Sequence, residues 1–329
     1  MRRGMVNLAI SILVIVLVLI YFYQTRPRRF EETRSLMNTY ITIVAYGGEN
    51  TPKAIDEAFR RMKDIESTCS IYDPQSEAYL LNRDGYIEQP SKDLFYLMKE
   101  SLYYFKLTGG SFDITVQPFL ELWKEGLWKE DEATQKKKIS KTFEIVGSDK
   151  IVVEEKKIYF KKKGMKVTLG GIAKGYAVDE ALRVLKNMGI KDALINAGGD
   201  IGVIGSGEGE GWGVALANPD DRTQCITSFL ISDRAVATSG NYERYFDPTK
   251  KVHHIINPKT GYSANECISV TVIAKSCMEA DALATGVFVL GPKKGMELIE
   301  SLPEVEGLII DSKKNIYRSS GLAKYEISE

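Results

Sequence analysis

Residues 276–291, SCMEADALATGVFVLG, join helix-forming residues to side chains that are apolar on nearly every face. A helix of that kind has no face to offer water, so the rest of the chain must be wrapped around it. Ser276 with Glu279 three residues on reads as a capping box, which satisfies the helix N-terminus before Asp281 is reached. Asp281 stands in the second turn, with Thr285 at i+4 on the same face. An ionised carboxylate buried there needs a cation or a donor. Two oxygen ligands on one rigid face suit a hard cation such as Mg²⁺, and the backbone amides of a neighbouring loop are the structural alternative.

The N-terminal end imposes a second constraint. Met5 to Tyr23 is an uncharged run of 19 residues, about 28 Å long as a helix, which is enough to cross a bilayer core. No small-residue cleavage site and no lipidation cysteine follow it, so residues 1–29 read as an uncleaved membrane anchor ahead of a domain at 30–329. Arginines lie on both sides of the run, so charge does not set its orientation. Past residue 29 the chain holds 39 basic against 44 acidic residues and no basic stretch interleaved with aromatics, which argues against nucleic acid as a partner. Cys69, Cys225, Cys267 and Cys277 show no CxxC spacing and read as scattered small hydrophobes.

Residues 24–34 read as a linker, followed by a strand over 39–46. A helix capped at Thr51 carries the apolar stripe Ile55, Phe59, Met62 and Ile65. A second helix spans about Asp93 to Leu107, and residues 124–148 read as a solvated insertion rich in Lys and Glu. Strands are expected near 151–154, 157–160 and 165–168. Beyond them a helix at 175–188 is followed by β segments around 193–197, 201–205, 212–217, 226–231, 252–256, 267–274 and 307–311. This alternation argues a mixed α+β architecture.

Several turns carry side chains suited to chemistry. At 168–179, TLGGIAKGYAVD, paired glycines end a strand and Lys174 sits near the start of a helix, a ready seat for phosphate. At 196–200, NAGGD, turn chemistry alone explains most of the pattern, which argues against direct ligand contact there. The only two histidines, His253 and His254, are adjacent, so extended backbone sends them to opposite faces. One histidine as phosphate donor or proton shuttle fits better than a His/His metal pair. Tyr72 stands on a turn closed by Ser76, and Asp113 follows the Gly109-Gly110 bend.

Together, MNTYITI, SIYDPQSEAYLLN, GGSFDITV, GGIAKGYAVD, INAGGDI, ATSGNYER, HHIINPKTG and ADALATGVFVLG resemble, in order, the FAD:protein FMN transferases, the ApbE-type flavin transferases. The resemblance runs from about Met37 to Gly291. It implies an α+β fold, a two-lobed mixed-sheet ApbE-like (T-fold-like) architecture with FAD between the lobes, behind the N-terminal transmembrane anchor. It implies Mg²⁺ held by Asp281, Thr285 and a backbone carbonyl at Gly171. Met37, Tyr72, Ser111, Phe112, Asp113, Thr168, Lys174 and Ile255 match positions that hold FAD. His254, Asp113 and Lys174 are the catalytic candidates, with His254 or Asp113 as the base. Thr168 and Asn257 stand where the family often has Asp.

The implied reaction moves FMN from FAD to a Thr or Ser hydroxyl of an acceptor flavoprotein, with release of AMP. The implied setting is the cell membrane, with the catalytic domain on the extracytoplasmic face and the acceptor in a membrane redox complex. Two rivals use the same site: a Mg²⁺-dependent FAD pyrophosphatase giving FMN and AMP, and a membrane-anchored FAD carrier without catalysis.

Overall fold

The computed structural model describes residues 27–327 except 208, 248, 250 and 251. The uncharged run at 5–23, and with it the anchor, lies outside these residues. Among those described, no helix is long and apolar enough to cross a membrane.

The chain opens with a hairpin of β1 (Arg28–Leu36) and β2 (Thr39–Gly47). Its two-residue turn puts Met37 and Asn38 at positive φ, +53° and +60°, the twist that a tight hairpin requires. The segment read as a linker is therefore largely an edge strand. Helix α1 (Thr51–Cys69) buries Ile55, Phe59, Met62 and Ile65, the stripe expected from its period. Next come α2 (Glu77–Asp84), β3 (Tyr86–Glu88), α3 (Lys92–Leu107), α4 (Gln117–Lys124) and α5 (Glu132–Thr142). Strand β5 (Lys157–Phe160) pairs with β3 on one side and with β4 (Ile151–Glu154) on the other in a small antiparallel sheet. Helix α6 (Ala173–Asn187) precedes β6 (Asp192–Ala197), β7 (Asp200–Ile204), β8 (Trp212–Ala217), β9 (Cys225–Ile231) and β10 (Ala235–Gly240). The chain ends with β11 (Cys267–Ala274), α7 (Cys277–Leu290), α8 (Pro292–Ser301), β12 (Glu306–Asp311) and β13 (Ile316–Arg318).

Eight strands form the main sheet in the order β1-β2-β6-β7-β10-β11-β12-β13, and every neighbouring pair is antiparallel. The expected mixed sheet is thus corrected to an antiparallel one. Pairing direction between distant strands depends on the end of the sheet at which the intervening chain returns, and strand periodicity carries no record of that. Alternate residues then face opposite layers. On β10, Ala235 and Ala237 join the core that holds α1, α6 and α7, whereas Val236 joins a second core with Phe229 and Ile231 of the β8–β9 hairpin. The apolar α7 lies inside the first core, with Ala282, Leu283, Val287 and Phe288 fully buried.

That first core continues into Ile151 and Ile158 of the small sheet, so the two expected lobes share one interior. A satellite core of Phe119, Trp123, Leu127, Ile139 and Ile256 forms in and beside the 124–148 segment. The Trp123 indole N–H donates to the Gly261 carbonyl at 2.7 Å. The supposedly solvated insertion is therefore partly folded onto the protein. No strand forms at 165–168, and residues 252–256 contribute only isolated bridges.

Candidate functional site

The site is built where α6 meets α7. Gly175, in the first turn of α6, lets the helices touch: a Cβ there would lie 2.3 Å from the Cys277 carbonyl oxygen. At the start of α7 the Ser276 hydroxyl accepts from the Glu279 amide, which is one half of the expected capping box. The reciprocal bond from the Ser276 amide to the Glu279 side chain is not formed among the described residues. Asp179 of α6 accepts from the Cys277 and Met278 amides at 2.7 and 2.9 Å. The α7 N-terminus is thereby satisfied without Asp281, as the sequence implied.

Asp281 is 5% exposed, and its Oδ2 accepts from the Gly175 amide at 3.1 Å. In an unbroken helix that amide would donate four residues back, to Gly171. Diverted to Asp281, it leaves the Gly171 carbonyl with no hydrogen bond from the described residues. Asp281 Oδ1 likewise has no hydrogen-bond partner among them. One turn along, the Thr285 hydroxyl lies 3.2 Å from that of Ser239, which β10 directs to the helix side of the sheet. A Cβ on Gly171 would sit 3.1 Å from Thr285 Oγ1 and 3.3 Å from the Phe112 ring. Gly171, Phe112 and Thr285 are thus brought together.

The electrostatics are set by two buried carboxylates and one half-buried ammonium. Lys174 forms an ion pair with Asp200, the first residue of β7 and only 2% exposed. Burial opposes the Lys174 charge, but Asp200 and then Asp281 outweigh it and hold its pKa above the usual lysine value. Burial, and then the charge of Asp200, push Asp281 well above the usual carboxylate range. Two carboxylates share one ammonium, which leaves a surplus negative charge when both are ionised. Turn chemistry in the NAGGD segment does not by itself reveal this role for Asp200. The signal available for it was a carboxylate in register with Gly202, which lies beneath Val178 and Leu182 of α6.

These donors fit a hard cation. An ionised carboxylate with an open oxygen, a neighbouring hydroxyl and an unpartnered backbone carbonyl are oxygen ligands of the type Mg²⁺ takes. Among the described residues no group of three or more His, Cys, Asp or Glu could hold a metal. The candidate set is instead Asp281, Thr285 and Gly171.

The remaining candidates separate by role. Asp113 is bracketed by four donors: its Oδ1 accepts from the Thr115 amide, the Thr115 hydroxyl and the Ser148 hydroxyl at 2.6–2.8 Å. Its Oδ2 accepts from the Ser148 amide at 3.2 Å. A carboxylate so engaged holds the 113–116 turn against residue 148, and this arrangement gives no support to Asp113 as the base. Ser111 and Phe112 are buried on the approach to that turn. Thr168 receives the Gly170 amide at 3.4 Å, and Asn257 closes its own turn by accepting from the Lys259 amide at 2.9 Å.

His253 is structural. Its Nε2 meets the Ala264 carbonyl at 3.0 Å and the Asn265 side-chain oxygen at 3.2 Å, and its ring packs edge-on against Phe288. His254 has a different partner, with Nδ1 3.3 Å from the Arg244 carbonyl. A carbonyl only accepts, so this contact makes Nδ1 the protonated nitrogen and leaves Nε2 an acceptor with no hydrogen-bond partner among the described residues. Burial and then the Arg244 charge push the His254 pKa down to about 4. Ile255 beside it is buried. Tyr72 is 69% exposed, with Lys124 over its ring at 5.4 Å. Met37 donates its amide to Glu66 at 2.6 Å. Among the described residues, no hydrogen bond or ring contact ties Tyr72 or Met37 to the Asp281 cluster.

The sequence model of the ApbE family matches residues 37–309, a stretch that contains all eight motif segments. The chain belongs to the ApbE family. It is 30% identical over 290 residues to the FAD:protein FMN transferase of Haemophilus influenzae, covering 84% of each chain. It is 31% identical over 252 residues to that of Vibrio cholerae, covering 74% of this chain and 75% of the relative. Among solved structures, the ApbE protein of Thermotoga maritima matches with a TM-score of 0.82 at 30% identity, over 92% of this chain and 100% of the other. The flavin transferase ApbE from Vibrio cholerae matches at 0.78 and 26% identity, over 91% and 99%. The ApbE fold therefore spans nearly all of the described chain.

Proposed function

We propose that this chain is a Mg²⁺-dependent FAD:protein FMN transferase that esterifies a Thr or Ser hydroxyl of an acceptor flavoprotein. The observation that carries the reading is the Asp281 carboxylate, buried with one oxygen open beside Thr285 and the unpartnered Gly171 carbonyl. Its relatives' names supply the reaction class. In the reaction the acceptor oxygen bonds to the FMN-side phosphorus of the FAD pyrophosphate. The bond from that phosphorus to the bridging oxygen breaks, AMP leaves with the bridging oxygen, and the hydroxyl proton passes to a base.

His254 is the base this geometry supports, because its Nε2 has no hydrogen-bond partner among the described residues and the ring is neutral at pH 7. Lys174 contributes a fixed positive charge near the dinucleotide phosphates, tethered by Asp200. Tyr72 offers an exposed aromatic face for a flavin or adenine ring. Asp281, Thr285 and the Gly171 carbonyl would hold Mg²⁺, which when bound neutralises charge on the pyrophosphate. We further propose that residues 1–29 anchor the enzyme at the cell membrane with its catalytic domain on the extracytoplasmic face, near an acceptor in a membrane redox complex.

The test incubates the full chain with FAD and Mg²⁺, with and without a flavin-acceptor domain. The readouts are AMP release and flavin fluorescence on the denatured acceptor band. AMP with a fluorescent band is the expected result. AMP without acceptor or band would make the enzyme a pyrophosphatase, and bound FAD without AMP would make it a carrier.

A further inference from the structure

The transfer chemistry leaves one buried charge without a function of its own, the Asp200 carboxylate. Its partner Lys174 has two carboxylates within electrostatic reach, Asp200 and Asp281. Among the described residues the ammonium forms a salt bridge with Asp200 and none with Asp281. The Asp281 oxygen without a hydrogen bond is therefore left open, although the half-buried Lys174 ammonium is within electrostatic reach. Both carboxylates are held by rigid elements: Asp200 starts β7 beside Ala197, and Asp281 lies inside α7. The lysine stem is the flexible member of the three.

We propose that Asp200 is a positioning residue that holds the Lys174 ammonium away from Asp281 and so keeps the cation seat open. The inference rests on the cation reading of Asp281 and Thr285 given above. Without the Asp200 charge, Lys174 has Asp281 as its remaining carboxylate. Collapse onto the open oxygen would neutralise that ligand and block it. In a buried setting such a pair would compete strongly with a divalent ion.

The test is direct Mn²⁺ binding by the full chain without FAD, read from the electron paramagnetic resonance signal of free Mn²⁺. The proteins are wild type, Asp200→Asn, Lys174→Met and the double variant, each checked for fold by circular dichroism. Asp200→Asn is expected to weaken Mn²⁺ binding by about tenfold or more when Lys174 is present, and by less than about threefold in the Lys174→Met background. An equal loss in both backgrounds would mean that Asp200 acts through its own charge alone, and would overturn the guard role. So would wild-type affinity in Asp200→Asn. If Asp200→Asn does not fold, Asp200→Glu retains a carboxylate for Lys174 and should bind Mn²⁺ within about threefold of wild type. A tenfold loss in that variant also rejects the proposal. Absence of Mn²⁺ binding by wild type would remove the seat and the guard together, whereas AMP release decides separately whether FMN is transferred.

Discussion

Gly175→Ala separates two accounts of the site's architecture. Helix propensity alone favours alanine by up to about 1 kcal/mol, and Gly175 has no positive φ that would demand glycine. The packing points the other way. The added Cβ would meet the Cys277 carbonyl oxygen at 2.3 Å, its carbon at 2.6 Å and the Met278 Cα at 2.7 Å. Ordinary contact begins near 3.4 Å, so α6 and α7 must part by about 1 Å, and all three obstructing atoms are backbone. Overpacking of this kind costs about 1–3 kcal/mol. Parting the helices also strains the amide bond from Gly175 to Asp281 and the two from α7 to Asp179, where a lost hydrogen bond to a charged group costs about 1.5–3 kcal/mol. The net expectation is a loss of about 2–5 kcal/mol. At about 2–4 °C per kcal/mol, the scale for large single domains, thermal denaturation should show a Tm lower by about 4–20 °C. Mn²⁺ binding should weaken in the same variant, because Asp281 moves with α7. A Tm equal to or above that of wild type, with unchanged Mn²⁺ affinity, would refute the idea that the helix crossing sets the site.

Asp281→Asn should abolish Mg²⁺-dependent AMP release while stabilising the metal-free protein at pH 8. The sign follows from the raised pKa: the folded state favours the protonated carboxyl, so this group's contribution to stability is present at low pH and lost as pH rises through the folded value. Thermal scans of both proteins at pH 5 and pH 8, without metal, check this, and the advantage of the variant should shrink at pH 5. His254→Gln should lower the transfer rate by about 10²–10⁴-fold with little change in FAD affinity, as measured by single-turnover kinetics. Because the His254 pKa is held near 4, its protonation should not limit the wild-type rate at pH 6, where an ordinary histidine would already be mostly charged. Tyr72→Ala should weaken FAD binding by about 1–2 kcal/mol in a fluorescence titration and leave Tm nearly unchanged, because the ring is exposed.

Local pattern was enough for the parts whose partners lie close in sequence. The stripe on α1, the Ser276 cap and the Asp281–Thr285 pair on one face of a buried helix depend on helical period and capping chemistry alone. His253 and His254 do take separate partners, but the segment forms isolated bridges with a bend at His254 and not the extended strand on which the expected alternation depends. Elements whose character comes from distant contacts were not legible. The polar strand β1 is stabilised by pairing with β2 along its whole length. Helix α5 is mostly Lys, Thr and Glu, and it folds onto the protein through Ile139 packed with Phe119 and Ile256.

The same division runs through the site. By itself the sequence determined that a carboxylate and a hydroxyl would share one face of a buried helix, that Lys174 would stand near the start of another, and that the motif order matches the ApbE family. It could not say which charge would meet which. Lys174 and Asp200 are separated by 26 residues, and Gly175 and Asp281 by 106. Only the antiparallel sheet, with β7 beneath α6 and α7 packed across it, brings those groups into one low-dielectric volume. Coulomb energy there depends on separation in space and on burial, and neither can be computed from spacing along a chain.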